Sequence, residues 1–244
     1  MRSNLNELSH YQTITTKDGN KMLVNPYDMY IGNQLIYAGE WESHIRKVLK
    51  NICKPGMNFI DIGANVGAHT LYMSKLVGET GHGYAFEPCS NHYSVLMYNL
   101  IANQCFNTTV LQYGCSDQTE TMYIEERFLN TKHTNNFGAI TLQSNKKEND
   151  EPVHTITVDS LNLPQIDIVK IDAEGMEEKV IKGMKETIKK YRPIFIIEIH
   201  KECEETMFEL FKSIEYYVVR IHESWDFIAT PNTNISDRII LHNI

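Results

Sequence analysis

The stretch "NFIDIGANVGAHTLYMSKL", Asn58 to Leu76, decides how the rest of the chain is read. It passes from apolar residues to an acid, Asp61, then through Gly63 and Gly67 into a helical pattern. That order describes a buried strand, a tight turn and a helix, with a ligand held against the helix N-terminus. A nicotinamide-binding turn reads G-x-G-x-x-G. Here the order is Gly63-Ala64-Asn65-Val66-Gly67, and Asn65 stands where a glycine would let a pyrophosphate approach. Asp61, a carboxylate at the strand tip, would repel a pyrophosphate and suit an amino-bearing or cationic ligand.

The next strand, "GHGYAFEP", ends in Glu87, about twenty residues beyond the turn, where an acid accepts hydrogen bonds from ribose hydroxyls. The ligand expected from Asp61 and Glu87 together has a ribose, little negative charge and a positive end. S-adenosylmethionine meets that description. The plainer reading gives Asp61 a helix cap and Gly67 a packing role. A nicotinamide-binding oxidoreductase is the rival cofactor reading, and Asn65 opposes it.

Outward from this stretch, strands alternate with helices, which argues for a doubly wound, mostly parallel sheet. Asp18-Gly19 marks a hairpin between "TITT" and "KMLVN", and "DMYIGNQLIY" alternates like a further strand. Helical spacing covers Trp41 to Ile52, and Ser90 is the expected cap of a helix running to about Ala102. "NTTVLQYGCSD", "ETMYIEE" and "VHTITVDSL" read as strands, separated by a long polar loop from Arg127 to Glu151. "QIDIVKIDAEG" and "RPIFIIEIH" read as central strands, with "MEEKVIKGMKETIKKY" as one helix between them and a helix near Glu202–Lys212 after them. "YYVVRIH", "DFIAT" and "RIILHNI" read as closing strands. Tyr93, Met97, Tyr98 and Leu100 have the spacing of a core stripe, and the lysines of "MKETIKKY" that of a solvated face.

The 244 residues suffice for one large α/β domain, expected as an N-terminal β/α segment over 1–52 and a main domain over 53–244. A formal net charge of −8 disfavours nucleic acid as a partner. Five scattered cysteines suggest reduced thiols and a cytoplasmic location, and zinc ligation is disfavoured. The opening residues lack an apolar signal-peptide core, and no run approaches a membrane span. "NPY" at Asn25–Tyr27 resembles the signature of amino-methylating DNA enzymes but lacks a proline.

With "YAGEWE", "GYAFEPCSNHYSVLMYNL", "GCSD", "VDSL", "IVKIDAEGMEEKVIKGM" and "RPIFIIEIH" added in order, the chain resembles the FkbM-type family of S-adenosylmethionine-dependent methyltransferases. The resemblance implies a class I methyltransferase fold, a Rossmann-like seven-stranded sheet with a reversed last strand. It implies methylation of an oxygen, on a sugar, glycan or small natural product. Carried across, Asp61, Gly63, Asn65 and Gly67 would line the methionine part of the cofactor, Glu87 would hold the ribose, and Ser116 and Asp117 would sit near the adenine. Asp172, Glu174 and Gly175 would lie beside the acceptor, with Tyr30, Glu40 and Trp41 packing over the cofactor. The patch around Asn136 and Gly138 resembles a family segment near the acceptor, so its loop is a candidate lid.

Methyl transfer to an alcohol needs alignment and a proton acceptor. Asp172 and Glu174 follow one strand, and Glu198 and His200 follow a neighbour in this topology. Either His200 or Asp172 is then the general base, or Asp172, Glu198 and His200 hold a divalent cation. Helix capping is the plainer role for Glu174, and an incidental strand-end position the plainer one for His200. Other functions weighed are methylation of an RNA ribose or a protein on the same fold, and a cofactor-binding module without turnover.

Overall fold

The structure is a computed structural model that describes residues 9–231. The expected strand "RIILHNI" lies outside the described residues. The chain opens with the hairpin β1 (Gln12–Thr15) and β2 (Lys21–Val24), turned at Gly19 with φ +80°. Two helices follow, α1 (Ile31–Ala38) and α2 (Ser43–Ile52). The α1 segment, expected as a strand, is helical. The reason is Asp28, whose Oδ1 accepts the Tyr30 N–H at 3.1 Å while its carbonyl accepts the Asn33 N–H. Asp28 thereby takes up donors that a helix start leaves free. Asn25, in the "NPY" stretch, accepts the Tyr27 N–H and donates to the Thr131 carbonyl, which makes that stretch a structural turn.

The central units are β3 (Asn58–Ile62), α3 (Ala68–Val77), β4 (His82–Phe86), α4 (Ser90–Ala102) and β5 (Thr108–Leu111). Ser90 is the first residue of α4, not its side-chain cap, and its N–H is taken by Glu151 instead. Val95, Leu96, Asn99 and Leu100 form the buried face of α4, whereas Tyr98 is exposed and Tyr93 and Met97 are only half-buried.

After β5 the expected third strand breaks. Gly114–Cys115 (β6) leaves the main sheet and joins β7 (Thr121–Ile124) and β8 (Glu151–Ile156) in a separate three-stranded sheet. Then come β9 (Ile168–Ile171), α5 (Glu177–Lys182), α6 (Lys185–Tyr191), β10 (Ile194–Glu198), α7 (Glu204–Ser213), β11 (Tyr217–Arg220) and β12 (Asp226–Thr230). The single helix expected over α5 and α6 is divided at Gly183. A Cβ there would lie 1.9 Å from the Ser116 carbonyl oxygen, and the Asp159 carboxylate accepts the Glu186 and Thr187 N–H groups that start α6.

The main sheet has seven strands in the order β11-β12-β10-β9-β3-β4-β5. Neighbours from β5 to β10 are parallel, and β12 runs antiparallel between β10 and β11. This is the class I methyltransferase fold, with the reversed last strand inserted one place from the edge. Its strands alternate between two apolar layers. Phe59, Ile168, Ile196 and Ile228 pack with α2 and α3, while Ile60, Ile62, Val169, Ile171, Phe195 and Ile197 pack with α5, α6 and α7. Each of these large side chains contributes about 1.5–3 kcal/mol on burial.

The hairpin closes a third apolar cluster, in which Met22, Val24, Ile31 and Leu35 meet Ala64, Val66, Leu71 and Leu96. Asn99, one turn before Asn103, accepts the Leu23 N–H at 2.6 Å, and Asn103 does the same for Lys21 at 2.9 Å. The N-terminal segment is thereby held over the glycine turn.

Candidate active site

A cavity of about 440 Å³ opens where the carboxyl ends of β3, β4, β9 and β10 meet. In open α/β sheets this crevice is where ligands bind. Its floor is the turn after β3. Gly63 has φ +77° and a Cβ there would lie 1.8 Å from the Asp172 carbonyl oxygen, so only glycine allows this approach between the ends of β3 and β9. Gly67, at φ +86°, lies against Leu96 in the same manner. Asn65 holds φ +48° and its Oδ1 accepts the Val66 N–H at 2.7 Å, while Nδ2 donates to the Phe137 carbonyl at 3.4 Å. That second bond ties the turn to the long loop, whose Asn136, Gly138, Ile140 and Leu142 line the cavity.

Asp61 is 1% exposed. One oxygen, Oδ2, accepts the Thr70 hydroxyl at 2.5 Å, and the other, Oδ1, is buried with no protein partner. An unpaired buried carboxylate oxygen is costly. A donor entering the cavity would satisfy it. Glu87 accepts the Asn65 N–H through Oε2 at 2.8 Å and the Cys89 N–H through Oε1 at 2.9 Å. Each of its oxygens keeps a second acceptor site for a hydroxyl. Burial pushes its pKa up to about 7, with Asp61 and Glu151 adding to the rise against the two amides.

On the other side of the cavity, β9 and β10 bring three acids together. Asp172, Glu174 and Glu198 each place a carboxylate oxygen within 4.8 Å of the others. Glu198 is raised to about 9 by burial and by the facing Asp172 and Glu174, and it shares a hydrogen bond with Asp172. Glu174, at φ +47°, is raised to about 7 by burial, then by Asp172 and Glu177. The turn carrying them is fixed by Glu177, which accepts the Ala173 and Gly175 N–H groups, both at 3.1 Å.

Between the two halves lies Lys170, a residue the reading of motifs missed. Its Nζ is 3.2 Å from Asp172 Oδ2. Burial alone would lower its pKa, but Asp172, Asp61 and Glu42 together raise it. Glu42 was also missed. Its Oε2 lies 2.8 Å from His69 Nε2. Burial works to raise the Glu42 pKa, yet His69 and then Lys170 outweigh it and hold it at about 2. A lysine inside the apolar run "IVKI" was the available signal for Lys170, since a buried lysine must be paired.

Of the residues expected at the site, Asp61, Gly63, Asn65, Glu87, Asp172, Glu174, Glu198, Tyr30 and Trp41 line the cavity. Gly67 supports the turn from beneath. Ser116 is fully buried, its N–H donated to the Ile156 carbonyl, and Asp117 is exposed. The lining there comes from Tyr113, Gly114 and Cys115 instead. Glu40 pairs with Lys17 at 2.5 Å and Arg46 at 3.5 Å, away from the cavity wall that Glu42 occupies. His200 stands outside the lining, 40% exposed, with Nε2 4.0 Å from Glu198 Oε2 and its ring 6.3 Å from that of Trp225. All five cysteines are free, and among the described residues no helix is long and apolar enough to cross a membrane.

Comparison with known proteins bears on the fold and the family. Hexuronic acid methyltransferase AglP of Haloferax volcanii is 25% identical over 184 residues, 71% of this chain and 70% of its own length. The crystal structure of methyltransferase FkbM from Methylobacillus flagellatus superposes with a TM-score of 0.53 at 16% identity, covering 72% of this chain. This chain spans only 43% of that protein. A Clostridium thermocellum protein described as an rRNA methylase superposes at 0.51 with 14% identity, covering 77% of this chain and 92% of its own. At these identities the two solved structures share the fold. Residues 61–228 match the domain described as Methyltransferase FkbM, and this chain belongs to that family of S-adenosylmethionine-dependent methyltransferases.

Proposed function

We propose that this protein transfers a methyl group from S-adenosylmethionine to a hydroxyl of a sugar or glycan. The observation that carries the reading is the division of one cavity into two acidic ends. Asp61 and Glu87 lie at one end, and Asp172, Glu174 and Glu198 at the other. The hexuronic acid relative supports a sugar acceptor.

In this reading the unpaired Asp61 Oδ1 receives the cofactor's ammonium and Glu87 receives its ribose hydroxyls. Tyr113, Gly114 and Cys115 flank the adenine, and Tyr30 and Trp41 cover the cofactor from the N-terminal side. The cofactor supplies a methyl carbon on a good leaving group. The chain's task is to align the acceptor oxygen and exclude water, which contributes roughly 7–11 kcal/mol to such reactions. Asp172 accepts the hydroxyl proton as the oxygen attacks. Glu198 holds Asp172 through their shared hydrogen bond, and Glu174 orients the acceptor. His200 is assigned no contact with the reacting atoms because it stands outside the lining. No step is routed through a divalent cation, although Asp172, Glu174 and Glu198 are close enough together to hold one.

The test is transfer of label from methyl-labelled S-adenosylmethionine to a panel of glycosides, with Asp172→Asn as the decisive variant. Its turnover is expected to fall by about 100-fold or more, within the range for losing a general base, while cofactor binding is retained. Full turnover in that variant would remove Asp172 from the reaction.

A further inference from the structure

We infer that the acceptor subsite selects a sugar hydroxyl carrying no anionic substituent beside it, and rejects uronic acids. The inference rests on the sugar reading above and narrows its substrate class. It also departs from the relative whose name specifies a hexuronic acid.

The argument is one of charge. The acceptor end presents three acids, Asp172, Glu174 and Glu198, all within 4.8 Å of one another, and offers an anion no countercharge. A uronate bound there would need a lysine or arginine to receive its carboxylate, because buried charges must be paired. Among the described residues Lys170 is the only lysine or arginine lining the cavity. It is 4% exposed, bonded to Asp172 at 3.2 Å and flanked by Asp61 and Glu42. Its charge is therefore already shared among three acids, and its ammonium is not presented to a guest.

The remaining wall suits an uncharged ring. Trp225 lines the cavity beside Glu198 and is 44% exposed. Its position is fixed by the Ile199 N–H, donated to its carbonyl at 2.8 Å. An exposed indole offers a flat apolar surface to the C–H face of a pyranose, while the acids accept its hydroxyls. An amino substituent on the ring would also be received by these acids; a carboxylate would find no free cation there.

The experiment compares kcat/KM for methyl transfer by the full chain to methyl glucoside, methyl glucosaminide and methyl glucuronide. The glucuronide is expected to be poorer than the glucoside by about 100-fold or more, the scale set by enclosing a carboxylate without a countercharge. Measured at pH 9, where Glu174 and part of Glu198 are ionised, that gap should narrow by about tenfold or more in Glu174→Gln with Glu198→Gln; the parent's ratio decides the matter if the double variant does not fold. A glucuronide methylated as well as the glucoside would overturn the inference and leave the sugar reading standing. Transfer to none of the three, with S-adenosylhomocysteine still bound, would overturn both and leave the family assignment intact.

Discussion

Asp61 and Lys170 are register partners on the adjacent parallel strands β3 and β9, and both are buried. The pair joins the two halves of the cavity, since Lys170 also bonds Asp172. Replacing Lys170 by Met would leave Asp61, Asp172 and Glu42 without their shared countercharge. Loss of one partner from a buried ionic set costs about 3–5 kcal/mol. Lys170→Met is therefore expected to lower the urea midpoint substantially at pH 8 and to depress turnover. An unchanged midpoint would mean that these acids are not held by the lysine.

The raised acids set the pH dependence of stability. Glu87 and Glu174 rise to about 7 and Glu198 to about 9 from an ordinary value of 4.5. Above pH 4.5 the folded chain keeps protons that the unfolded chain releases, so stability falls as pH increases through 7 towards 9. Glu42, lowered to about 2, acts in the opposite sense, but its contribution is lost only in acid below that window. The Lys170 contribution is lost only above the ordinary lysine range. His92, lowered to about 4 by burial, opposes the raised acids only up to the ordinary histidine range, so the cofactor-free protein should show a falling denaturation midpoint from pH 7 to 9, and Glu198→Gln should flatten the upper part. A midpoint rising across that range would contradict the placement of these acids.

Asp61→Asn keeps the side-chain shape and the approach to Thr70 but removes the charge that would meet an ammonium. A hydrogen bond to a charged group is worth about 1.5–3 kcal/mol. Binding of S-adenosylmethionine, followed by titration calorimetry, should weaken by about 10- to 100-fold while the circular dichroism spectrum stays unchanged. Parent-like affinity would place the cofactor elsewhere.

Gly63→Ala tests the turn itself. The left-handed φ alone costs about 1–3 kcal/mol for a residue with a Cβ. The added carbon would also meet the Asp172 carbonyl oxygen at 1.8 Å, so the end of β9 must move. Stability and turnover should both fall, with turnover falling further than at Gly78→Ala, where a Cβ meets nothing within 4 Å. Equal effects at the two positions would show that the contact between the β3 and β9 ends is unimportant to catalysis.

Much of the fold was legible because its signals are local. The apolar strand Asn58–Ile62, the glycine turn and the helix after it could each be read from neighbouring residues. So could Glu87 at the end of its strand. The Asp28 segment was misread because alternating apolar residues fit a strand, whereas the Asp28 bonds to Tyr30 and Asn33 make it a helix. The break at Gly183 was hidden for a related reason. The Asp159 carboxylate that takes the first N–H groups of α6 and the Ser116 carbonyl that packs against Gly183 both lie far away in sequence.

By itself the sequence determined the strand–turn–helix, the acids at the strand tips and the family, since these depend on residue type and short spacing. Only the tertiary structure decided which acids meet. It joined Glu198 to Asp172 and Glu174 and left His200 outside, and it chose Glu42 over Glu40 at the wall. The physical reason is that convergence depends on strand register and on where a turn directs a side chain, and both are fixed by packing between elements distant in the chain.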